Sequence, residues 1–380
     1  MNERQRILFR LLVLPFLVAI LLPFTFRYWM MQNHLVKVYY FAVAFLMSFG
    51  LMPLMYKLGI ILGMTDQPGG RHIHLRETPR TGGIALYITF VATLNIVTQP
   101  PPEFKGIFWA SSIIALTGIL DDIKRLPALV KLLGQILATA IVIRYGIALS
   151  FIPDHAIGHC VSVLFTALWI IGITNAYNCI DGLDGLAGGI ALIVLGFFAF
   201  LANSLHDNFM LIACLLLLGA LVGFLPYNFR YKKRALLFLG DTGSNLLGFL
   251  LATFSIYGTW GMDKGIDLAI PILLLMVPIA DMIMTTITRI VEGKIHSVKE
   301  WFEYGGNDHI HYRLIQVGFS PKISVLLIFL FTFVMGLISY LVKNGDTAAG
   351  YVAILIGVLA SFNFFGLVVY QSWRENNVNK

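Results

Sequence analysis

Apolar runs, each broken by a short polar interval, recur from one end of the 380-residue chain to the other. They predict spanning helices at 7–26, 35–56, 82–98, 106–120, 128–145, 160–176, 186–203, 209–227, 243–259, 266–288, 323–342 and 349–370. A full crossing needs about 20 apolar residues, so the shorter runs are expected to extend into their loops or to tilt within the bundle. The pattern predicts an all-α fold, a polytopic integral membrane helical bundle of about 11–12 transmembrane helices. Arg4, Arg6 and Arg10 precede the first run, and FRYWMMQNH follows it where a signal-peptide cleavage site would stand. Residues 1–34 therefore read as a retained signal-anchor helix and 35–380 as one membrane-embedded domain.

Composition agrees with the pattern. The chain is 58% hydrophobic and only 12% charged, against about 25% charged in an ordinary soluble domain. Placing the N-terminus in the cytoplasm puts 21 of the 27 lysines and arginines into cytoplasmic segments. That asymmetry favours an N-in, C-in orientation in the inner (plasma) membrane, with the bilayer and its anionic headgroups as partners. Omitting any one helix would carry the later basic loops to the wrong side. No basic segment is interleaved with exposed aromatics, so no nucleic acid is expected. Cys160, Cys179 and Cys214 have neither metal-ligand spacing nor a disulfide framework and read as buried small hydrophobes. Gly219 and Gly223 form a small-xxx-small pair, suited to packing helices within the chain or subunits of a homodimer.

Five polar clusters fall on the predicted cytoplasmic side: TDQPGGRHIHLRETPRTGG (65–83), DDIKRLPALVK (121–131), NAYNCIDGLDG (175–185), FLGDTGSN (238–245) and GNDHIHYRL (306–314). The outer loops carry only ordinary turn residues, so an active site on the cytoplasmic face is the simplest reading. Asp121 and Asp122 close a helix and point about 100° apart. They are either a solvated helix end paired with Lys124 or Arg125, or one of them is a carboxylate aimed at the site. Lys131 begins the next span, where it could meet a phosphate. Asn178, Asp181 and Asp184, spaced i, i+3, i+6, would drift only moderately around one helical face, and carboxylates at membrane depth are expensive unless paired, hydrated or functional. Asp241 stands between glycines at a loop-to-helix junction, where backbone and anion can approach closely or where it could serve as an N-cap. Phe238 is a packing residue or a ring on which a base could stack. His309 and His311 alternate, so in an extended segment both could reach one ligand; with Arg313 they suit phosphate better than zinc. Asp281 suits an interhelical hydrogen bond as well as a direct role. Carboxylate and amide oxygens without sulfur suit Mg²⁺, and the mixture as a whole suits phosphoryl transfer between anions.

TDQP with PRTGG, DDIKR followed by VKLLGQ, NAYNCIDGLDGLAGG, FLGDTGS and DHIHYRL occur in one order between about residues 57 and 322. In this the sequence resembles the polyprenyl-phosphate N-acetylhexosamine-1-phosphate transferases. The resemblance implies that a UDP-N-acetylhexosamine and undecaprenyl or another polyprenyl phosphate give a lipid-linked sugar diphosphate and UMP. It implies Mg²⁺, with Mn²⁺ as a substitute, held by Asp241 with help from Asn178. Asp181 and Asp184 would belong to the nucleotide site, Asp181 among the catalytic carboxylates, and Asn228 and Phe238 would hold the uridine. Lys131, His309, His311 and Arg313 would meet phosphate or sugar, and Asp66 of TDQP would contact substrate. Asp121 or Asp122 resembles the carboxylate that receives the lipid phosphate's proton; a covalent aspartyl intermediate is the other route. Arg125, Tyr312 and the N-terminal span depart from the family pattern. The compact HxH loop points to UDP-GlcNAc as donor. A secondary transporter would also suit this many spans, but it usually keeps ionisable residues near the midplane of two related halves, and no repeat is visible. A phosphatidyl-type alcohol transferase would need a DG–AR–G–D–D motif, which the chain lacks.

Overall fold

The computed structural model describes residues 25–66, 77–149, 156–230, 233–261, 264–297, 300–301 and 304–378. The predicted span at 7–26, apart from its last two residues, and positions 67–76 of the first polar cluster lie outside the described residues.

Each later apolar run has a helix. In chain order they are α1 (Thr25–Gln32), α2 (Val36–Ile61), α3 (Gly82–Val97), α4 (Pro102–Lys124), α5 (Ala128–Arg144), α6 (Ala156–Ile180), α7 (Leu186–Ser204) and α8 (Asn208–Asn228). After them come α9 (Gly240–Tyr257), α10 (Lys264–Leu274), α11 (Met276–Val291), α12 (Ile310–Gln316), α13 (Pro321–Asn344) and α14 (Thr347–Val378). The short runs at 106–120 and 160–176 extend into their loops, as expected. By length and composition seven of the described helices can cross a membrane: α2, α4, α6, α7, α8, α13 and α14.

The run at 266–288 would make an eighth crossing if taken as one bent span, but it is not one continuous helix. The run is two helices, α10 and α11, meeting at Leu275 with a bend of 72°. Pro278 has no N–H for the carbonyl one turn back, and Pro271 lies one turn before the break, which accounts for the kink.

At the centre stands α9. Every residue from Thr242 to Ser255 is buried, so this helix can begin with GDTGSN and still lie inside the bundle. It packs against α3, α4 and α6 with little but backbone between them. A Cβ on Gly83 would lie 2.1 Å from Gly243 N, and one on Gly118 would lie 2.4 Å from Thr242 Cα. The same device joins α8 to α2, where Cβ atoms on Gly219 and Gly223 would meet the carbonyls of Phe41 and Phe45 at 2.3 and 2.8 Å. The small-xxx-small pair thus packs helices within one chain.

A two-residue antiparallel ribbon, β1 (Thr65–Asp66) with β2 (Thr78–Pro79), caps one end of the bundle. Phe238 N donates to Pro79 O at 2.8 Å, and Gly82 N donates to Phe238 O at 2.9 Å. These bonds lash the segment before α9 to the ribbon. The lipid-facing exterior carries exposed apolar side chains such as Leu129, Leu133, Leu164, Leu168, Leu326 and Leu330. Of the three cysteines only Cys214 is buried; Cys179 is half-buried, and Cys160 is exposed on the outward side of α6, contrary to the expectation of three buried hydrophobes.

Candidate functional site

All five polar clusters meet at the same end of the bundle, at the first turn of α9. Asp241 lies in that turn. The Asn178 amide donates to Asp241 Oδ1 at 2.9 Å and to Ser244 Oγ at 2.7 Å. Asp241 is not an N-cap: position Leu239 precedes the helix and gives no side-chain bond. Its carboxylate stays partly open, with a side chain 26% exposed. Behind it, Gln135 links the amides of Asn175 and Asn245, and Asn245 Nδ2 donates to Asp241 O at 2.8 Å.

The two adjacent aspartates have divided partners, as their angular separation requires. Asp121 accepts from Leu126 N at 2.5 Å and from Lys131 Nζ at 3.0 Å. Lys131 Nζ also lies 3.9 Å from Asp241 Oδ1, so it bridges the two carboxylates. Asp122 accepts from Asp241 N at 2.9 Å, Thr242 N at 3.0 Å and Thr242 Oγ1 at 2.7 Å. Both aspartates are buried, at 4% and 7% exposure. The pairing with Lys124 or Arg125 at a solvated helix end does not occur, because the last turn of α4 is pressed against α9.

The segment after Asn178 is not helical as its spacing suggested. α6 stops at Ile180, and Gly185 takes a φ of +80°, a conformation that glycine adopts without steric cost. Asp181 and Asp184 therefore sit on a loop. Gly185 N donates to Asn228 Oδ1 at 2.8 Å, Asn228 Nδ2 donates to Leu237 O at 2.9 Å, and Ala235 N donates to Asp184 Oδ2 at 2.9 Å. Asn228 and Asp184 staple this loop to the segment that carries Phe238. Burial, and then the charges of Asp241, Asp122 and Asp184, push the Asp181 carboxyl up to about 7.

Between these parts opens a cleft of about 220 Å³. Asp66, Asp181, Asp184 and Asp241 line it, together with Asn178, Asn228, Ser244 and Phe238. Sequence reasoning had singled out each of these except Ser244. It missed Arg80, which pairs with Asp66 across the ribbon and also lines the cleft. The signal was present in PRTGG, an arginine held at the start of a membrane helix by a β-ribbon. Lys131, Asp121 and Asp122 stand behind the cleft wall.

The histidines do not form one ligand set. His309 precedes α12 and His311 is on it, so the segment is not extended; their rings lie parallel, with centroids 6.1 Å apart. His309 Nδ1 bonds Asp281 Oδ2 at 2.7 Å, and Ile310 N donates to Asp281 Oδ1 at 2.6 Å. Asp281 thus makes the interhelical bond that was one of its two readings. Burial opposes a charge on His309, but hydrogen bonds with Asp281 and Cys179 outweigh it and raise its pKa to about 10. Arg289 donates twice to the Asp308 carboxylate, at 2.6 and 2.8 Å, while Arg313 donates to Asp308 O and Thr288 Oγ1. His311 is fully buried against Gly182, and burial lowers its pKa to about 3, so it is neutral. None of the three predicted basic residues lines the cleft; their neighbour Tyr312 does.

The donor set of the cleft is oxygen. Among the described residues no three His, Cys, Asp or Glu side chains are grouped closely enough to cage a metal. Asp241, with Asp181 nearby, suits instead a hard cation that takes one or two carboxylates and completes its shell with water and phosphate.

Residues 104–259 match the model of glycosyl transferase family 4, a stretch that begins in α4 and ends just after α9. The chain is 34% identical over 312 residues to the probable undecaprenyl-phosphate N-acetylglucosaminyl 1-phosphate transferase of Bacillus subtilis (strain 168), covering 80% of this chain and 84% of that one. It is 33% identical over 298 residues to the decaprenyl-phosphate N-acetylglucosaminephosphotransferase of Mycobacterium leprae (strain TN), with 69% and 73% covered. With the undecaprenyl-phosphate alpha-N-acetylglucosaminyl 1-phosphate transferase of Escherichia coli (strain K12) it shares 24% identity over 326 residues, 82% of this chain and 85% of that one.

Proposed function

The chain belongs to the polyprenyl-phosphate N-acetylhexosamine-1-phosphate transferases of glycosyl transferase family 4, and from that membership we propose that it transfers GlcNAc-1-phosphate from UDP-GlcNAc to undecaprenyl or a related polyprenyl phosphate. UMP is released, and the product is a lipid-linked sugar diphosphate, the first membrane step toward an envelope polysaccharide. The observation that carries this reading is the Asp241 carboxylate, held by Asn178 yet open to a cleft that Phe238 and Asn228 also line.

In this reaction an oxygen of the lipid phosphate attacks the phosphorus next to the sugar, and the bond to the UMP oxygen breaks. The acceptor is already an anion, so direct attack needs no covalent aspartyl stage. Two anions must be brought together, and the chain supplies Lys131 and Arg80 to screen them. Mg²⁺, or Mn²⁺ in its place, held by Asp241 with Asn178 in support, would neutralise charge on the diphosphate. Asp181 and Asp184 would face the nucleotide, with Phe238 stacking on the uracil. His309, His311 and Arg313 would act from behind the wall, by holding α12 and the Tyr312 ring at the cleft. The asymmetry of lysine and arginine supports a cleft that faces the cytoplasm of a multi-pass plasma-membrane protein.

The test is UMP release by the purified protein from UDP-GlcNAc with undecaprenyl phosphate and Mg²⁺. Folded protein that releases no UMP from any UDP-N-acetylhexosamine would refute the reading. Asp241→Ala is expected to abolish turnover with expression unchanged, and retained activity would remove Asp241 from the metal site.

A further inference from the structure

Asp121 and Asp122 stand side by side at the end of α4, two carboxylates that resemble candidates for one task. The geometry points to a different division: we propose that Asp122 is a positioning residue, which fixes the first turn of α9 and thereby aims Asp241 into the cleft, and that it takes no part in proton transfer. The inference rests on the proposed transferase reading, since it concerns which carboxylate serves that reaction.

Three observations carry it. A carboxylate has about four lone-pair sites, and Asp122 fills three of them with Asp241 N, Thr242 N and Thr242 Oγ1. Two of those donors are N–H groups that the first turn of a helix cannot satisfy internally. Asp122, supplied from another helix, therefore does for α9 what an N-cap side chain would do. The N-cap position itself, Leu239, has no side chain able to do this.

The second observation is steric. A Cβ on Gly240 would lie 2.7 and 2.8 Å from the two carboxylate oxygens of Asp122, and 2.3 Å from Arg80 O. Only a glycine leaves space for this approach, and the Asp122 carboxylate is buried and does not line the cleft. The third is the fit of the two helices. Gly118, one turn before Asp122, meets the backbone of Thr242 without a side chain between them. The Asp122 bonds therefore set the register of α4 against α9 directly, with no soft layer to absorb an error. A shift of this turn would move Asp241, the neighbouring residue, by a similar amount.

A base and a cap respond differently to the same change. Asp122→Asn removes the proton-accepting charge but keeps one acceptor oxygen, and so retains the cap bonds on that side while its NH2 cannot accept from the other. Asp122→Ala removes both functions. We expect Asp122→Asn to retain UMP release within about tenfold of the native enzyme and to leave the pH profile unchanged. We expect Asp122→Ala to fall by about ten- to a hundredfold and to need more Mg²⁺ for half-maximal rate. Hydrogen–deuterium exchange across residues 239–246 gives the readout that needs no turnover: slightly faster than native in Asp122→Asn, which keeps the bonds of one oxygen only, and much faster in Asp122→Ala. If the alanine variant does not fold, Thr242→Val, which removes one of the three bonds, should still raise exchange in that peptide. Asp122→Asn with exchange no faster than Thr242→Val and activity down about a thousandfold, the size of a lost general base, would overturn the proposal, as would unchanged exchange in both Asp122→Ala and Thr242→Val. If the native enzyme releases no UMP, the transferase reading fails, while the exchange measurements still decide whether Asp122 holds α9.

Discussion

Among the side chains of the cleft, Asp181 is the one whose ionisation should be visible in stability. Its carboxyl is pushed up to about 7 by burial and by the neighbouring charges, Asp241 foremost, from an unfolded value near 3.8. Between those values the folded chain binds more protons than the unfolded one. Stability therefore falls as pH rises through this window, and the cost is fully present above pH 7. Asp181→Asn should raise the thermal midpoint in detergent at pH 8 and leave it nearly unchanged at pH 4. A cation in the cleft would favour the charged form, so the slope should be steeper in EDTA than in Mg²⁺. Equal midpoints for the two proteins at pH 8 in EDTA would contradict this. His309 gives a slope of the same sign, but as a gain that is lost and not as a cost that appears. Its raised pKa means that its contribution is complete below about 6.5 and is lost progressively as pH rises to about 10. His309→Ala leaves the buried Asp281 carboxylate with Ile310 N as its remaining donor. The expected loss is about 3–5 kcal/mol at neutral pH, measured by thermal unfolding. The polar residues of the cleft were legible in the sequence because charge is rare in this chain and its exceptions stand out. The buried status of His309, His311 and Arg313 was not, since no spacing rule says whether a basic side chain points at a ligand or at Asp281 and Asp308.

Helices were legible from the apolar runs, and the interruptions were less so. Periodicity cannot distinguish one span from two helices joined at 72°, because Pro271 and Pro278 are tolerated in membrane helices and signal a bend without its angle. Nor does spacing reveal that the helix carrying Asn178 ends at Ile180 and leaves Asp181 and Asp184 on a loop, an outcome set by Gly182 and Gly185. What the sequence does carry is the glycine signature of close packing around α9. Gly83 and Gly243 touch through their backbones, and a methyl group on Gly83 would lie 2.1 Å from Gly243 N and 2.3 Å from its Cα. Backbone on both sides leaves nothing flexible to move. Gly83→Ala should therefore cost about 1–3 kcal/mol or more, and the displaced α9 should weaken UMP release as well. Ala at Gly172, which meets nothing within 4 Å, is the control and should be close to neutral. Similar midpoints for the two variants would show that the α3–α9 contact is looser than this geometry.

At the scale of the whole molecule, five segments far apart in sequence come together at one end of the bundle, and among the described residues the opposite end has no comparable cluster of carboxylates. An enzyme that joins a water-soluble nucleotide sugar to a lipid phosphate needs this polarity, because its substrates arrive from water and from the bilayer. Lysine and arginine counts predict that this end faces the cytoplasm, and the prediction can be tested without reference to catalysis. Lys124 is exposed at the end that bears the cleft, and Asp346 is exposed in the turn between α13 and α14 at the other. In a background with Cys160, Cys179 and Cys214 replaced by alanine, Asp346→Cys should react with a membrane-impermeant maleimide in intact spheroplasts. Lys124→Cys should react only after the membrane is permeabilised. The reverse pattern would turn the protein over, and the cleft would then open away from the cytoplasmic nucleotide pool on which the proposed reaction depends.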